Sequence, residues 1–397
     1  MADPMRLLVL AQGYPCDANP MAGVYHRDQL RVIAKAGVDV TVVVPIPWVP
    51  PGLAARNGRW ANYAALPASQ RDGALTIYRP RYLALPRENR CGAPDLLQTL
   101  AVQRLLRRIG YGRPDAIHAF FALPTGAVAR ALARDWNVPY GVSLLGDDVN
   151  IYPQHNRRNL AVLRHVLADA AIRIANGPTL AATAERLTGV TVDCLSIGVS
   201  PERFDSLLDK AEARRRLGLP EGQPIALYAG ALSVTKGIGE LALAMDQVAD
   251  TSLLAVTLGD GPLRADLERR ANVICLGMRP ATEVTIAMAA ADLLVHPSYY
   301  EGLPTVLLEA ALAGLPIVTT DAPGCLDLAR DGRGWVVPVK DANALAQTLR
   351  QAVTDERTGR QQADAMAAHV RDQYLVTKNS LELVLRYGQA MSDQEGR

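Results

Sequence analysis

The feature that most restricts this chain is a series of short, nearly uniform apolar runs, each separated from the next by a segment of helical periodicity. In the first half the runs are Arg6–Ala11, Val38–Val44, Ala116–Ala119, Tyr140–Leu144 and Ile172–Ala175. Each has the length of a strand and leaves no wet face, so each is read as a parallel strand covered on both sides. Helical segments at Tyr25–Lys35, Leu96–Ile109, Gly126–Arg134 and Arg157–Ala168 lie between them. This alternation predicts a doubly wound α/β layer.

A second series follows a change of texture at Pro201–Pro224, where Pro and Gly flank the charged segment Asp209–Arg216. Its strand candidates are Ile225–Ala229, Leu253–Leu258, Val273–Leu276, Leu293–Val295, Pro316–Thr319 and Gly334–Val337. With 397 residues the chain exceeds what one core usually organises. The reading is therefore two Rossmann-like units, 1–205 and 206–375, followed by a terminal segment 376–397 with a helix at Leu381–Met391. No period of about 20 to 50 residues recurs, which argues against a solenoid. Between the halves' regular elements, Ile46–Pro94 is rich in Pro and Arg, contains Trp48 and Trp60, and reads as a long substrate-facing loop.

Charge excludes one class of partner. Lys plus Arg number 42 against 40 Asp plus Glu, so the chain lacks the basic excess of a nucleic-acid binder. Five scattered cysteines, Cys16, Cys91, Cys194, Cys275 and Cys325, form no C-x-x-C pair and suggest neither a disulfide framework nor a zinc site. Residues Met1–Leu10 lack the pattern of a secretory leader, and no apolar run approaches the ~18 residues of a membrane span. A cytoplasmic protein is expected. The basic run Arg104-Leu105-Leu106-Arg107-Arg108 is either a solvated helix face or a peripheral contact with the inner face of the cytoplasmic membrane.

The chemistry concentrates after the strand candidate Leu293–Val295, in Glu301-Gly302-Leu303-Pro304-Thr305-Val306-Leu307-Leu308-Glu309. Pro304 suits a first helical turn, where its missing N–H costs nothing. The free N–H groups and positive dipole end of such a helix suit a diphosphate. Glu309, more than a turn further on, is placed to accept from a ribose diol; Glu301 stands in the preceding loop. The plainer reading makes both surface carboxylates. Lys236-Gly237 lies beyond strand Ile225–Ala229 and the turn Gly230, at the carboxyl end where open α/β sheets bind ligands. Leu258–Pro262 is an equally good structural turn. Asn19–Tyr25 holds Gly23, whose backbone could approach phosphates, although it is no G-x-G-x-x-G fingerprint.

In this order the segments resemble glycosyltransferase family 4, a group of retaining enzymes with the GT-B architecture. The resemblance rests on the E-x7-E segment Glu301–Glu309 with Ala310–Pro316, on Gly230 with Lys236-Gly237, on Leu258–Pro262, and on Ala290-Ala291-Asp292 leading to His296-Pro297-Ser298. Gly23, Asp115–Phe121, Gly146–Asp148 and Ser196–Phe204 support it over about Arg6–Thr348. It implies two Rossmann-like domains facing across a cleft, with the terminal helix crossing back to the first. Lys236 would meet the donor diphosphate, Glu309 the ribose, and Glu301 the donor sugar. Backbone N–H groups of Gly302, Leu303 and Thr305 would hold phosphate or sugar oxygens, Met278 would lie at the base, and Gly230 and Gly23 at the donor. The first domain, with His118 and Asp148, would take a saccharide or lipid-linked saccharide. No metal or other cofactor is implied.

Two positions depart from the family pattern. Ala231 stands where an Arg usually supplies a second cation, and Leu145 where many members carry a His. His118 is a candidate substitute for the latter, or else a packed residue. The expected reaction is transfer of a hexose-type sugar from a nucleotide diphosphate sugar with retention, of the kind that builds cell-surface polysaccharides. The alternatives are a nucleotide-sugar epimerase of the same design and a non-catalytic glycan- or partner-binding protein.

Overall fold

In a computed structural model, residues 4–50, 52, 58–84 and 93–396 are described. The chain divides into two compact units, Met1–Ile197 with Val376–Arg397, and Gly198–Leu375. The break thus falls after Ile197, ahead of the expected 205. The reason is packing: Val199 and Phe204 are buried in the second unit's core, and Val199 N–H bonds the Tyr374 carbonyl at 2.8 Å.

The first unit's strands are β1 (Arg6–Leu10), β2 (Asp39–Val43), β3 (Ile46–Pro47), β4 (Ser69–Asp72), β5 (Leu75–Tyr78), β6 (Arg81–Tyr82), β7 (Ala116–Phe120), β8 (Tyr140–Leu144), β9 (Ile172–Ala175) and β10 (Asp193–Cys194). Eight of them form one sheet in the order β10-β9-β8-β7-β1-β2-β5-β4. Every pairing in it is parallel except β4 with β5. Along β1, Leu8 and Leu10 enter one core and Leu7 and Val9 the other, which is why the run reads as apolar throughout.

The stretch Ile46–Pro94 is not the long loop expected. Ser69–Asp72 and Leu75–Tyr78 close a hairpin that extends the main sheet, β3 pairs with β6, and Arg59–Ala65 is helical. Leu75 and Ile77 are buried while Thr76 and Tyr78 are half-buried, a period of two that the Pro and Arg around them obscured. Cys91 and the remainder of this stretch, 51, 53–57 and 85–92, lie outside the described residues. The terminal helix Val376–Glu395 packs on the helix Val24–Lys35 of the same unit, and its Tyr387 is buried against β7 and β8. Gly141 of β8 permits this, because a Cβ there would lie 2.4 Å from the Tyr387 hydroxyl.

The second unit holds β11 (Ile225–Ala229), β12 (Leu254–Leu258), β13 (Val273–Gly277), β14 (Leu293–His296), β15 (Ile317–Thr320) and β16 (Trp335–Val337). All are parallel, in the order β13-β12-β11-β14-β15-β16. The direction of winding reverses between β11 and β14. Loops leaving the carboxyl ends of those two strands diverge there, and that is where an open sheet of this kind offers its crevice.

Candidate active site

The two loops at this reversal carry Lys236 and Glu301. After β11 the chain turns at Gly230, makes a short 3-10 turn at Val234–Lys236 and enters the helix Ile238–Gln247 through Gly237. Gly237 takes φ +69°, and a Cβ on it would sit 1.9 Å from the Pro297 carbonyl oxygen. The Lys236 turn is therefore pressed onto the loop that follows β14. The Tyr299 N–H donates to the Thr235 carbonyl at 3.0 Å and joins the same two loops. The loop after β14 is tied on its other side by the Thr319 hydroxyl to the His296 carbonyl, at 2.8 Å, and by the Thr320 hydroxyl to the Ser298 carbonyl, at 2.5 Å.

These constraints bring two side chains onto one atom of a third. Glu301 Oε1 accepts from Lys236 Nζ at 2.6 Å and lies 2.9 Å from His296 Nε2. Burial alone would push the Glu301 carboxyl up. The hydrogen bond and charge of His296, then those of Lys236, outweigh it and bring the group down to about 2. Glu301 is thus a carboxylate at any ordinary pH. The His296 ring is buried and lies parallel to Tyr228, 6.2 Å between centroids; among the described residues its Nδ1 has no hydrogen-bond partner.

The helix Thr305–Leu312 starts one residue later than expected: Pro304 is its cap, with φ −75° and ψ 103°, and not part of its first turn. Pro304 supplies no side-chain acceptor to the first N–H groups of the helix. Leu303 is buried in the core beneath, and Gly302 and Thr305 are half-buried. Glu309 lies further along, and its carboxylate bonds Arg203 Nη1 at 2.6 Å. Met278, after β13, is 66% exposed.

Gly230 belongs to a tight contact between the loops after β11 and β12, where a Cβ on Gly259 would come within 1.8 Å of the Gly230 carbonyl oxygen. Of the two readings of Leu258–Pro262, this packing accounts for Gly259 without a ligand. Ala231 is exposed, and its carbonyl accepts from the Tyr228 hydroxyl at 2.8 Å.

In the first unit the outcome differs. Gly23 caps the helix Val24–Lys35 at φ +71°, where a Cβ would meet the Gly13 carbonyl oxygen at 2.4 Å, so its requirement is met by loop packing. His118, a candidate acceptor contact, is 1% exposed. Tyr387 donates to the Ile117 carbonyl, so His118 Nδ1 donates to Tyr387 (2.8 Å) while Nε2 accepts from Ser143 (3.1 Å). Burial, then the neighbouring His26, press its pKa down to about 3, and the ring is neutral. It is a packed core histidine, not a ligand contact. Asp148 is likewise fully buried; its oxygens accept from the N–H groups of Ala122, Leu145 and Gly146, which makes it a brace for two loops and not an acceptor residue.

Two residues at the site escaped the sequence reading. His296 and Arg203 both lie inside segments singled out there, but their partners are set by the course of the loop from His296 to Glu301 and by a contact between residues 106 apart, neither of which a periodicity reveals.

Comparisons with known proteins identify the family. Residues 209–370 match the model of glycosyl transferases group 1, and residues 22–198 that of the glycosyl transferase 4-like domain. TuaC of Bacillus subtilis (strain 168), named as a teichuronic acid biosynthesis glycosyltransferase, is 31% identical over 384 residues, 96% of this chain and 98% of the other. The fold is that of sucrose-phosphate synthase from Thermosynechococcus elongatus (TM-score 0.78, 21% identity, 98% and 100% of the two chains). It is also that of Anabaena HepE, solved with UDP and glucose (TM-score 0.73, 20% identity, 97% and 100%). The chain belongs to the family 4-like glycosyltransferases of GT-B fold.

Proposed function

We propose that this glycosyltransferase moves a hexose-type sugar from a nucleotide diphosphate sugar to a saccharide or lipid-linked saccharide, with retention, in the building of a polysaccharide. The observation that carries the reading is the convergence of Lys236, His296 and Glu301 where the winding of the second sheet reverses. Lys236 would neutralise the departing diphosphate, and the helix start at Thr305 would hold it through the N–H groups of Gly302, Leu303 and Thr305. Glu301 would accept from sugar hydroxyls, Glu309 from the ribose, and Met278 would meet the base. The bond from the anomeric carbon to phosphate breaks as the bond to the acceptor oxygen forms on the same face, and the acceptor proton passes to the leaving phosphate. Neither a metal nor a dedicated protein base is needed, since the ammonium meets the developing charge and the phosphate takes the proton.

The name of TuaC supports a polysaccharide product, and HepE solved with UDP-glucose supports a nucleotide sugar donor. Among the described residues no helix is long and apolar enough to cross a membrane. For a lipid-linked acceptor, Leu96, Leu100, Arg104, Arg107 and Arg108 are exposed on the helix Ala93–Arg108, which supports a peripheral contact with an anionic surface. The test is to supply purified protein with mixed nucleotide sugars and acceptor. Nucleoside diphosphate release is expected, suppressed by Lys236→Ala and by Glu301→Ala; release that survives both substitutions refutes the reading.

A further inference from the structure

We infer that Arg203 is a positioning residue for nucleotide recognition: it fixes the Glu309 carboxylate for the ribose and ties it to the helix start beside Met278. The inference rests on the proposed roles of Glu309 and Met278. Arg203 stands in a 3-10 turn, Pro201–Arg203, that opens the second unit. Its Nη1 donates to Glu309 Oε1 at 2.6 Å, and its Nη2 to the Ala281 carbonyl at 3.3 Å. The guanidinium carbon lies 5.5 Å from the centroid of the Phe204 ring, itself buried in the core. Three contacts thus hold one side chain, and the planar fork of a guanidinium can serve two acceptors at a fixed angle as an ammonium cannot.

The arrangement matters because Glu309 is an awkward ribose ligand alone. Its side chain is 6% exposed and emerges between Leu307, Leu308, Ala310 and Ala311 of the core. Burying a carboxylate costs much less where a cation is hydrogen-bonded to it, and Arg203 is such a cation. The bond to Ala281 anchors the same guanidinium at the head of the helix Ala281–Ala290, which follows β13 and Met278 directly. A shift of that helix would therefore be felt at the ribose carboxylate.

The test compares, by calorimetry, a nucleoside diphosphate chosen because the wild type binds it with its 2′,3′-dideoxy counterpart. The wild type is expected to prefer the ribose form by about 10-fold or more. Arg203→Ala is expected to bind both forms equally, while Arg203→Lys, which keeps a cation beside Glu309 but not the fork, is expected to restore part of the preference. An unchanged preference in Arg203→Ala overturns the inference. So does an equal loss of affinity for both forms with the preference intact, the mark of a merely structural clasp. If no nucleoside diphosphate binds the wild type, it is the proposed function that fails. Should Arg203→Ala not fold, Arg203→Gln and Arg203→Lys carry the same comparison.

Discussion

The Nζ of Lys236 lies 2.6 Å from Oε1 of Glu301, so the cation proposed for the diphosphate is already neutralised by the carboxylate proposed for the sugar. A diphosphate without its sugar must compete with Glu301 for that ammonium. Glu301→Gln is therefore expected to bind a free nucleoside diphosphate more tightly than wild type, by up to about 10-fold for an exchange of one charge-assisted bond, and to transfer sugar more slowly. Calorimetry and an initial-rate assay on the same preparation decide it. Weaker binding of the diphosphate by Glu301→Gln would show that the pair does not compete with the ligand.

The same pair fixes a dependence on pH. Glu301 falls from its ordinary value of 4.5 to about 2 in the folded state, because His296 and Lys236 outweigh its burial. A depressed carboxyl stabilises the fold above the unfolded value and ceases to do so as pH drops through the folded one. The shift corresponds to roughly 3 kcal/mol. Melting curves of wild type and Glu301→Gln should differ at pH 7 and converge between about pH 4.5 and 2. A gap that stays constant over that window would mean Glu301 is not held ionised by its neighbours.

Ala231 leaves room for a second cation. It is exposed, and the bonds its carbonyl accepts, from the Tyr228 hydroxyl and the Ser233 N–H, involve none of its own side chain and survive substitution. Ala231→Arg is expected to tighten nucleoside diphosphate binding about 10-fold or more, the effect of one added charge-assisted bond of about 1.5 to 3 kcal/mol. A titration at two salt concentrations checks the electrostatic origin, since the gain should shrink as salt rises. A gain unaffected by salt, or none, would place the residue 231 side chain away from the phosphates.

Asp148 is expected to matter for folding and not for acceptor affinity. Removing its carboxylate by Asp148→Ala leaves the N–H groups of Ala122, Leu145 and Gly146 without their acceptor, inside the protein. A loss of about 2 to 4 kcal/mol and a marked fall in melting temperature should follow. Acceptor KM, measured on whatever fraction stays folded, should change little; a large rise in KM with stability intact would return Asp148 to the acceptor site.

Where sequence and structure agree, the reason is that the signal was local. The apolar runs at Arg6–Ala11, Ile225–Ala229 and Leu293–Val295 are strands because burial on both faces leaves no polar position to conceal. Glu301, Lys236 and Glu309 stood out because a turn or helix start follows a strand at each. What could not be read is what depends on neighbours distant in sequence. His118 looked like a ligand at the end of a strand, but Tyr387, some 269 residues later, takes its Nδ1. Gly23 looked like a phosphate contact, but its missing Cβ makes way for Gly13. A glycine in a loop announces close approach without saying to what.

Gly237 is the instance where that ambiguity resolves into a prediction. Its φ of +69° disfavours any side chain, and a Cβ would be driven to 1.9 Å from the Pro297 carbonyl oxygen, a backbone atom that cannot rotate away. To relieve the clash, the Val234–Lys236 turn must lift from the loop after β14, and Lys236 loses its line to Glu301. Gly237→Ala should therefore cost about 1 to 2 kcal/mol from the backbone angle alone, with the displacement added to it. Transfer should fall nearly as far as in Lys236→Ala, although the lysine is still present. Gly239→Ala, two residues on in the same helix, meets no atom within 4 Å and serves as the control with near wild-type rate. Equal activity in the two alanine variants would show that the contact with Pro297 does not set the position of Lys236.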